Sequence, residues 1–197
     1  MTQDNALRVG VLIVGLGTGV FAAIYRRRAH TGEPISRRDE GLAFALVLRL
    51  LGLGLWIVLI GYLVDAAWAA RFQYPSPPAA RWACLAVALV GTAGLRWTLE
   101  SLGKNLTDTV VVRRDAALVT TGPYRFVRHP FYVTTGMVMF GIAGAAANGL
   151  LAALCVAVWT MLAVRTPKEE QQLLERFGDD YRRYMAVTNR FFPRIPA

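Results

Sequence analysis

Charge is scarce in this chain, and acidic charge scarcest. Only 18% of its 197 residues are charged, with 13 acidic side chains against 22 basic ones. With 55% hydrophobic residues and a mean hydropathy of +0.38, so little charge excludes an ordinary soluble domain, and the surplus apolar side chains must face lipid. Cysteine is nearly absent too. Cys84 and Cys155 both lie inside apolar runs without metal-ligand spacing, which argues against a disulfide framework, a zinc site or any other metal centre. The formal charge of +9 does not mark a nucleic-acid binder, because the basic residues are not gathered on one soluble domain. They mark the connections between apolar runs.

Five apolar runs are long enough to cross a bilayer, which takes roughly 20 residues and somewhat fewer in a packed hairpin. They fall at about 7–25, 42–64, 82–103, 131–147 and 149–164. The last two meet at Asn148-Gly149, a turn signal, and read as a tight helical hairpin, with one bent or re-entrant element as the alternative. In the first run the basic cluster Arg26-Arg27-Arg28 follows the apolar stretch, so it reads as an anchor and not as a cleaved leader. Five basic residues fall in 26–41, five in 104–130 and seven from 165 onward, against Arg8, Arg71 and Arg81 on the other side. The positive-inside rule then places the N-terminus outside and the C-terminus in the cytosol.

The run Val9–Val14 followed by Gly15-Leu16-Gly17-Thr18-Gly19 imitates a strand entering a phosphate-binding loop. A true fingerprint sits among alternating strands and helices, and here only more membrane segment follows. Small residues that let two membrane helices approach closely are the preferred reading.

The stretch Gly122-Pro-Tyr-Arg-Phe-Val-Arg-His-Pro-Phe-Tyr132 is different. Two prolines, two arginines and a histidine at a membrane boundary must be satisfied by protein groups, water or a polar ligand. The Gly-Pro step favours a turn, and Pro130 sets His129 where the fourth span begins. A short run, Val110–Val112, ahead of it reads as extended. After the fifth span, Thr166 and Glu169 form a capping box with Pro167 at the first helical position, and Leu173, Leu174, Phe177, Tyr181 and Tyr184 recur at helical spacing as in an amphipathic surface helix. Capping alone would account for Glu169, and anchoring at a span end for Arg165.

Taken in order, Leu118-Val-Thr-Thr-Gly-Pro-Tyr124, Val127-Arg-His-Pro-Phe-Tyr132, Arg165-Thr166 with Glu169-Glu170, and Phe177-Gly-Asp-Asp-Tyr181 resemble the isoprenylcysteine carboxyl methyltransferase family over about residues 100–195. The resemblance implies an all-α integral membrane enzyme of about five transmembrane helices, with a cytosolic C-terminal amphipathic helix and a cofactor pocket at the cytosolic face. Residues 1–103 would form a three-span membrane region and 104–197 the methyltransferase core. It further implies S-adenosyl-L-methionine as methyl donor, held by Ala116, Ala117, Leu118, Val119, Tyr124, His129 and Glu169, with Arg165 orienting a lipophilic methyl acceptor; Tyr132 joins the cofactor contacts on the chemistry of its ring. Where family members often carry a histidine and a lysine, this chain has Ala116 and Ala117, which leaves backbone or apolar contacts. Pro167-Lys168 replaces acidic residues often found before the paired glutamates.

The chemistry of the side chains agrees with that implication. Glu169 can accept from an ammonium, His129 can hold a carboxylate or ribose, and Tyr124 or Tyr132 can pack on an adenine or a sulfonium. Arg49, Arg96 and Glu100 fall in the cytosolic halves of spans, and Arg96 with Glu100 has i, i+4 spacing, so they extend the site toward a substrate or form a structural pair. A membrane reductase using a nicotinamide dinucleotide and a non-catalytic membrane adaptor are the rival classes. The acceptor is expected to be a carboxylate, with a lipid amine or a thiol as the alternatives.

Overall fold

The structure is a computed structural model that describes residues 3–29, 42–103 and 117–194. Among these residues every regular element is helical. In order they are α1 (Gln3–Ala29), α2 (Leu42–Val64), the short α3 (Ala66–Ala70), α4 (Pro78–Leu102), a 3-10 turn at Gly122–Arg125, α5 (Pro130–Ala146), α6 (Gly149–Phe177) and α7 (Asp179–Val187). Helices α1, α2, α4 and α6 are long and apolar enough to cross a membrane, and α5 is a shorter apolar helix. The chain is therefore a multi-pass, all-helical membrane protein, with α5 at 17 residues reaching about 26 Å, short of a full hydrocarbon core. Val110–Val112 and Ala116 lie outside the described residues.

Small residues decide which helices touch. α4 and α5 pack backbone to backbone: a Cβ on Gly141 would sit 2.7 Å from the Ala88 nitrogen and the Cys84 carbonyl oxygen, and one on Gly91 would sit 2.8 Å from Met137 Cβ. Only hydrogen fits at both crossings. α1 joins them through buried Leu7, Val11 and Val14 and a 2.9 Å hydrogen bond between Thr18 and Thr92. The Gly15–Gly19 stretch is plain helix: Gly15 faces the Leu59 side chain and Gly19 the Trp56 ring at ordinary contact distance, and Gly17 faces open space, so the stretch marks no close helix crossing. α2 also packs on α6, where Gly54 meets Leu154.

The α5–α6 hairpin closes as expected at Asn148-Gly149. Ala147 takes the left-handed conformation that ends α5, and the fully buried Asn148 accepts a hydrogen bond from the Leu151 amide at 2.9 Å, capping α6.

Another expectation fails. Thr166, Pro167 and Glu169 do not start a helix, because α6 runs unbroken from Gly149 to Phe177 with Pro167 inside it. Proline there removes only the bond that would reach the Ala163 carbonyl, and the Thr166 hydroxyl donates back to the Leu162 carbonyl at 3.2 Å instead of capping. The apolar run before Pro167 is already helical, so the polar segment extends it, and the separate C-terminal helix is the nine-residue α7.

Candidate active site at the motif end of the bundle

His129 is the N-cap of α5 and Pro130 its first residue, because proline disfavours helical geometry in the residue before it and cannot donate an amide hydrogen anyway. The 3-10 turn just upstream depends on Gly122, whose positive φ of 62° and contact with Ser101 leave no room for a side chain. Together these fix the path of the motif segment across the end of the helices. The segment is then tied to the C-terminal residues: the Arg128 amide donates to the Asn189 carbonyl at 2.8 Å and the His129 amide to the Arg190 carbonyl at 3.0 Å.

The charged centre of this end is Glu170. Its Oε1 accepts from Arg128 Nε at 2.9 Å and lies 3.2 Å from His129 Nε2, while its Oε2 accepts from Arg190 Nε at 2.8 Å. The side chains of Glu170, His129 and Arg128 are 4%, 5% and 9% exposed, so the core of the cluster is enclosed by protein, with Arg190 covering it from the surface. Arg128 also donates to the Thr188 carbonyl. The hydrogen bond to Glu170 raises the Arg190 pKa, which keeps that guanidinium charged.

Glu169, one residue earlier, turns another way. It accepts from the Tyr132 hydroxyl at 2.6 Å and its Oε2 lies 4.0 Å from His129 Nδ1, with 27% of its side chain exposed. The His129 ring stacks parallel on Tyr132 with centroids 5.5 Å apart, and Phe191 packs at 5.9 Å from the imidazole. Trp159 supports the group by donating to the Tyr132 carbonyl at 3.3 Å. The Tyr184 hydroxyl donates to the Tyr124 carbonyl at 2.5 Å. Burial pushes the Tyr184 phenol up to about 12, and burial followed by the charge of Glu169 raises Tyr124, so both stay neutral near pH 7.

The structure thus brings Tyr124, His129, Tyr132 and Glu169 together at one end. Arg165 lies four residues before Glu169 on the same unbroken helix, hence on the same face, about 6 Å away along the axis. Ala117, Leu118 and Val119 lead into the 3-10 turn in irregular backbone. Arg96 and Glu100 instead form an exposed pair, Nε to Oε1 2.8 Å, in which Glu100 also accepts from Tyr25 at 2.7 Å and so links α1 to α4. Arg49 is exposed on α2. Among the described hydrogen bonds, none joins these three to the motif cluster.

Sequence reasoning singled out Glu169 and missed the anchoring of Glu170, Arg128 and Arg190. The available signal was the adjacency of two glutamates on one helix: successive residues point about 100° apart, so only one of the pair can face the arginines.

Residues 84–175 match the sequence model of the isoprenylcysteine carboxyl methyltransferase family. Among curated relatives, the nickel-cobalt-cadmium resistance protein NccN of Alcaligenes xylosoxydans xylosoxydans is 27% identical over 73% of this chain and 65% of its own length. Protein-S-isoprenylcysteine O-methyltransferase B of Arabidopsis thaliana is 31% identical over 51% of this chain and 52% of its own. The chain thus spans between half and two thirds of the length of these two relatives. A solved structure of the eukaryotic intramembrane Ras methyltransferase superposes with a TM-score of 0.64 at 20% identity, covering 99% of this chain and 69% of that one, and so shares the fold.

Proposed function

We propose that this chain, whose residues 84–175 match the model of the isoprenylcysteine carboxyl methyltransferase family, is a membrane methyltransferase that converts the carboxylate of a lipophilic, isoprenylcysteine-like acceptor to a methyl ester. The observation that carries this reading is the placement of Arg165 and Glu169 one turn apart on unbroken α6, with Glu169 bonded to Tyr132 in the first turn of α5. A fork suited to a carboxylate and an acid suited to an ammonium then share one helix face.

The donor set fits S-adenosylmethionine. Glu169 is a partly exposed carboxylate ringed by Tyr132, Tyr124 and His129, which suits a ligand bearing an ammonium, ribose hydroxyls and a sulfonium. When bound, that ligand supplies an activated methyl group. The irregular backbone at Ala117, Leu118 and Val119 offers amide and carbonyl groups beside it.

Arg165 orients the acceptor through its planar guanidinium. A carboxylate is ionised at neutral pH, so the reaction needs no base from the protein. The apolar helices exclude water, and a low-polarity setting favours a step in which opposite charges neutralise one another. The protein's contribution is positioning. Arg49, Arg96 and Glu100 are assigned to the outer approach of the acceptor, and the motif end to the cytosolic side. A cysteine introduced at Ser76 should label with an impermeant reagent on intact cells, and one at Ser36 should not.

The activity is tested by titrating purified protein with S-adenosylhomocysteine and with NADPH in a calorimeter. Heat with the first alone is expected, and heat with NADPH alone would identify a reductase. Membranes given methyl-labelled donor should then yield a product that releases labelled methanol in mild alkali. An alkali-stable label would mean that the acceptor atom is nitrogen or sulfur.

A further inference from the structure

We propose that Glu170, clamped by Arg128 and Arg190, is a positioning residue that fixes His129 as the Nε2–H tautomer, so that the bare Nδ1 and Glu169 form a two-acceptor seat for the donor's ammonium group. The seat rests on the methyltransferase reading above. The tautomer does not.

Two guanidiniums bond the Glu170 carboxylate, Arg128 at 2.9 Å and Arg190 at 2.8 Å, and hold it ionised. An ionised carboxylate can only accept hydrogen bonds. His129 Nε2, 3.2 Å from Oε1, is therefore the donor. In a neutral imidazole one nitrogen donates and the other accepts, so the network assigns Nδ1 as an acceptor. Tyr132 and Phe191 pack on the ring and the His129 amide is bonded to the Arg190 carbonyl at 3.0 Å, and a half-turn that exchanged the nitrogens would carry Nε2 away from the Glu170 carboxylate it meets at 3.2 Å. Arg190 thus contributes twice, through its carbonyl to the His129 backbone and through its guanidinium to the acid that reads the imidazole.

Nδ1 and Glu169 Oε2 are 4.0 Å apart, too far to bond each other. One nitrogen placed about 2.9 Å from each can bridge them. Oε2 already accepts from the Tyr132 hydroxyl at 2.6 Å, and a carboxylate oxygen can take a second donor. Two acceptors side by side attract an ammonium and repel a carboxylate, so of the polar groups on an S-adenosyl amino acid the amine belongs here. The carboxylate, which the residues alone allowed at His129, does not.

The chain has two histidines, so with His30→Gln the full-length protein carries a single imidazole. Histidine-selective 15N labelling, read above neutral pH with no ligand added, should show Nε2 as N–H and Nδ1 unprotonated. An Nδ1–H or doubly protonated ring would overturn the assignment, and this measurement needs no variant of the cluster. Glu170→Gln, whose amide can donate as well as accept, should let the Nδ1–H form appear; an unchanged spectrum would remove Glu170 from the role. In the wild type, S-adenosylhomocysteine lacking its amino group should bind about tenfold more weakly or worse than the parent. Equal affinity would overturn the seat. Absence of any binding by the parent compound, with the expected tautomer present, would overturn the donor reading and the seat with it while leaving the role of Glu170 standing.

Discussion

Two arginine–glutamate pairs of nearly equal length behave as different objects. Arg96 and Glu100 are bonded at 2.8 Å with 57% and 43% of their side chains exposed, whereas Arg128 and Glu170 are bonded at 2.9 Å with 9% and 4% exposed. The first pair lies in the last two turns of α4 and is not enclosed by protein, so either partner can turn away from the other and the bond changes little. For the second pair each partner is the substitute for water, and losing either leaves a buried charge alone. The buried pair also recruits the ionisable groups of His129 and Arg190, while the exposed one is joined by the Tyr25 hydroxyl and by the Phe21 ring beneath Arg96. Bond length carries no information about which pair matters; burial does.

The largest effect should come from breaking the buried cluster. Glu170→Ala leaves Arg128 uncompensated and should cost about 3–5 kcal/mol, toward the lower end because Arg190 is 46% exposed and can turn to solvent. Thermal melting of the detergent-purified protein measures it. A melt equal to wild type would mean that the cluster is as loosely held as the exposed pair.

Next comes packing, where the same contrast holds between glycines. Gly141→Ala drives a methyl against the α4 backbone at 2.7 Å, and backbone cannot rotate away, so about 1–3 kcal/mol should be lost. A Cβ at Gly17 or Gly52 meets nothing within 4 Å, and alanine there should leave the melt unchanged. Equal melts for Gly141→Ala and Gly52→Ala would refute the close α4–α5 crossing.

Glu169→Gln separates the two neighbouring acids. It keeps the shape and the bond to Tyr132 but loses the charge, so S-adenosylhomocysteine affinity should fall by about tenfold with little change in melting. A large melting loss with unchanged affinity would exchange the roles of Glu169 and Glu170.

What could be read from the residues, and what could not, follows the range of the interactions. Asn148-Gly149 and His129-Pro130 were legible because turn and cap preferences act over a few residues, and both stand where expected. The helical membrane fold was legible from apolar runs. Thr166-Pro167-Lys168-Glu169 was misread for an equally local reason: a capping box and a proline inside a continuing helix share the same letters, and only the helical state of residues 163–166 separates them. The Glu170 cluster was invisible because its partners come from positions 128, 129 and 190, and nothing local to Glu170 states which of two adjacent acids faces them.

The smallest effect expected is at the exposed pair, and it tests whether the site reaches α1 and α4. Glu100→Ala removes the acceptor of both Arg96 and Tyr25. Because the pair is not enclosed by protein, the melt should not move. If the pair lines the acceptor's approach, KM for the acceptor should rise roughly twofold with kcat and donor affinity unchanged, which is the scale of a screened surface contact. Raised salt should produce the same rise in the wild type and none beyond it in Glu100→Ala, since both act on one screened interaction. The buried cluster should not respond to salt on that scale. A kcat reduced by an order of magnitude would place Arg96 and Glu100 at the reacting carboxylate beside Arg165, and no kinetic change at all would confine them to joining α1 to α4.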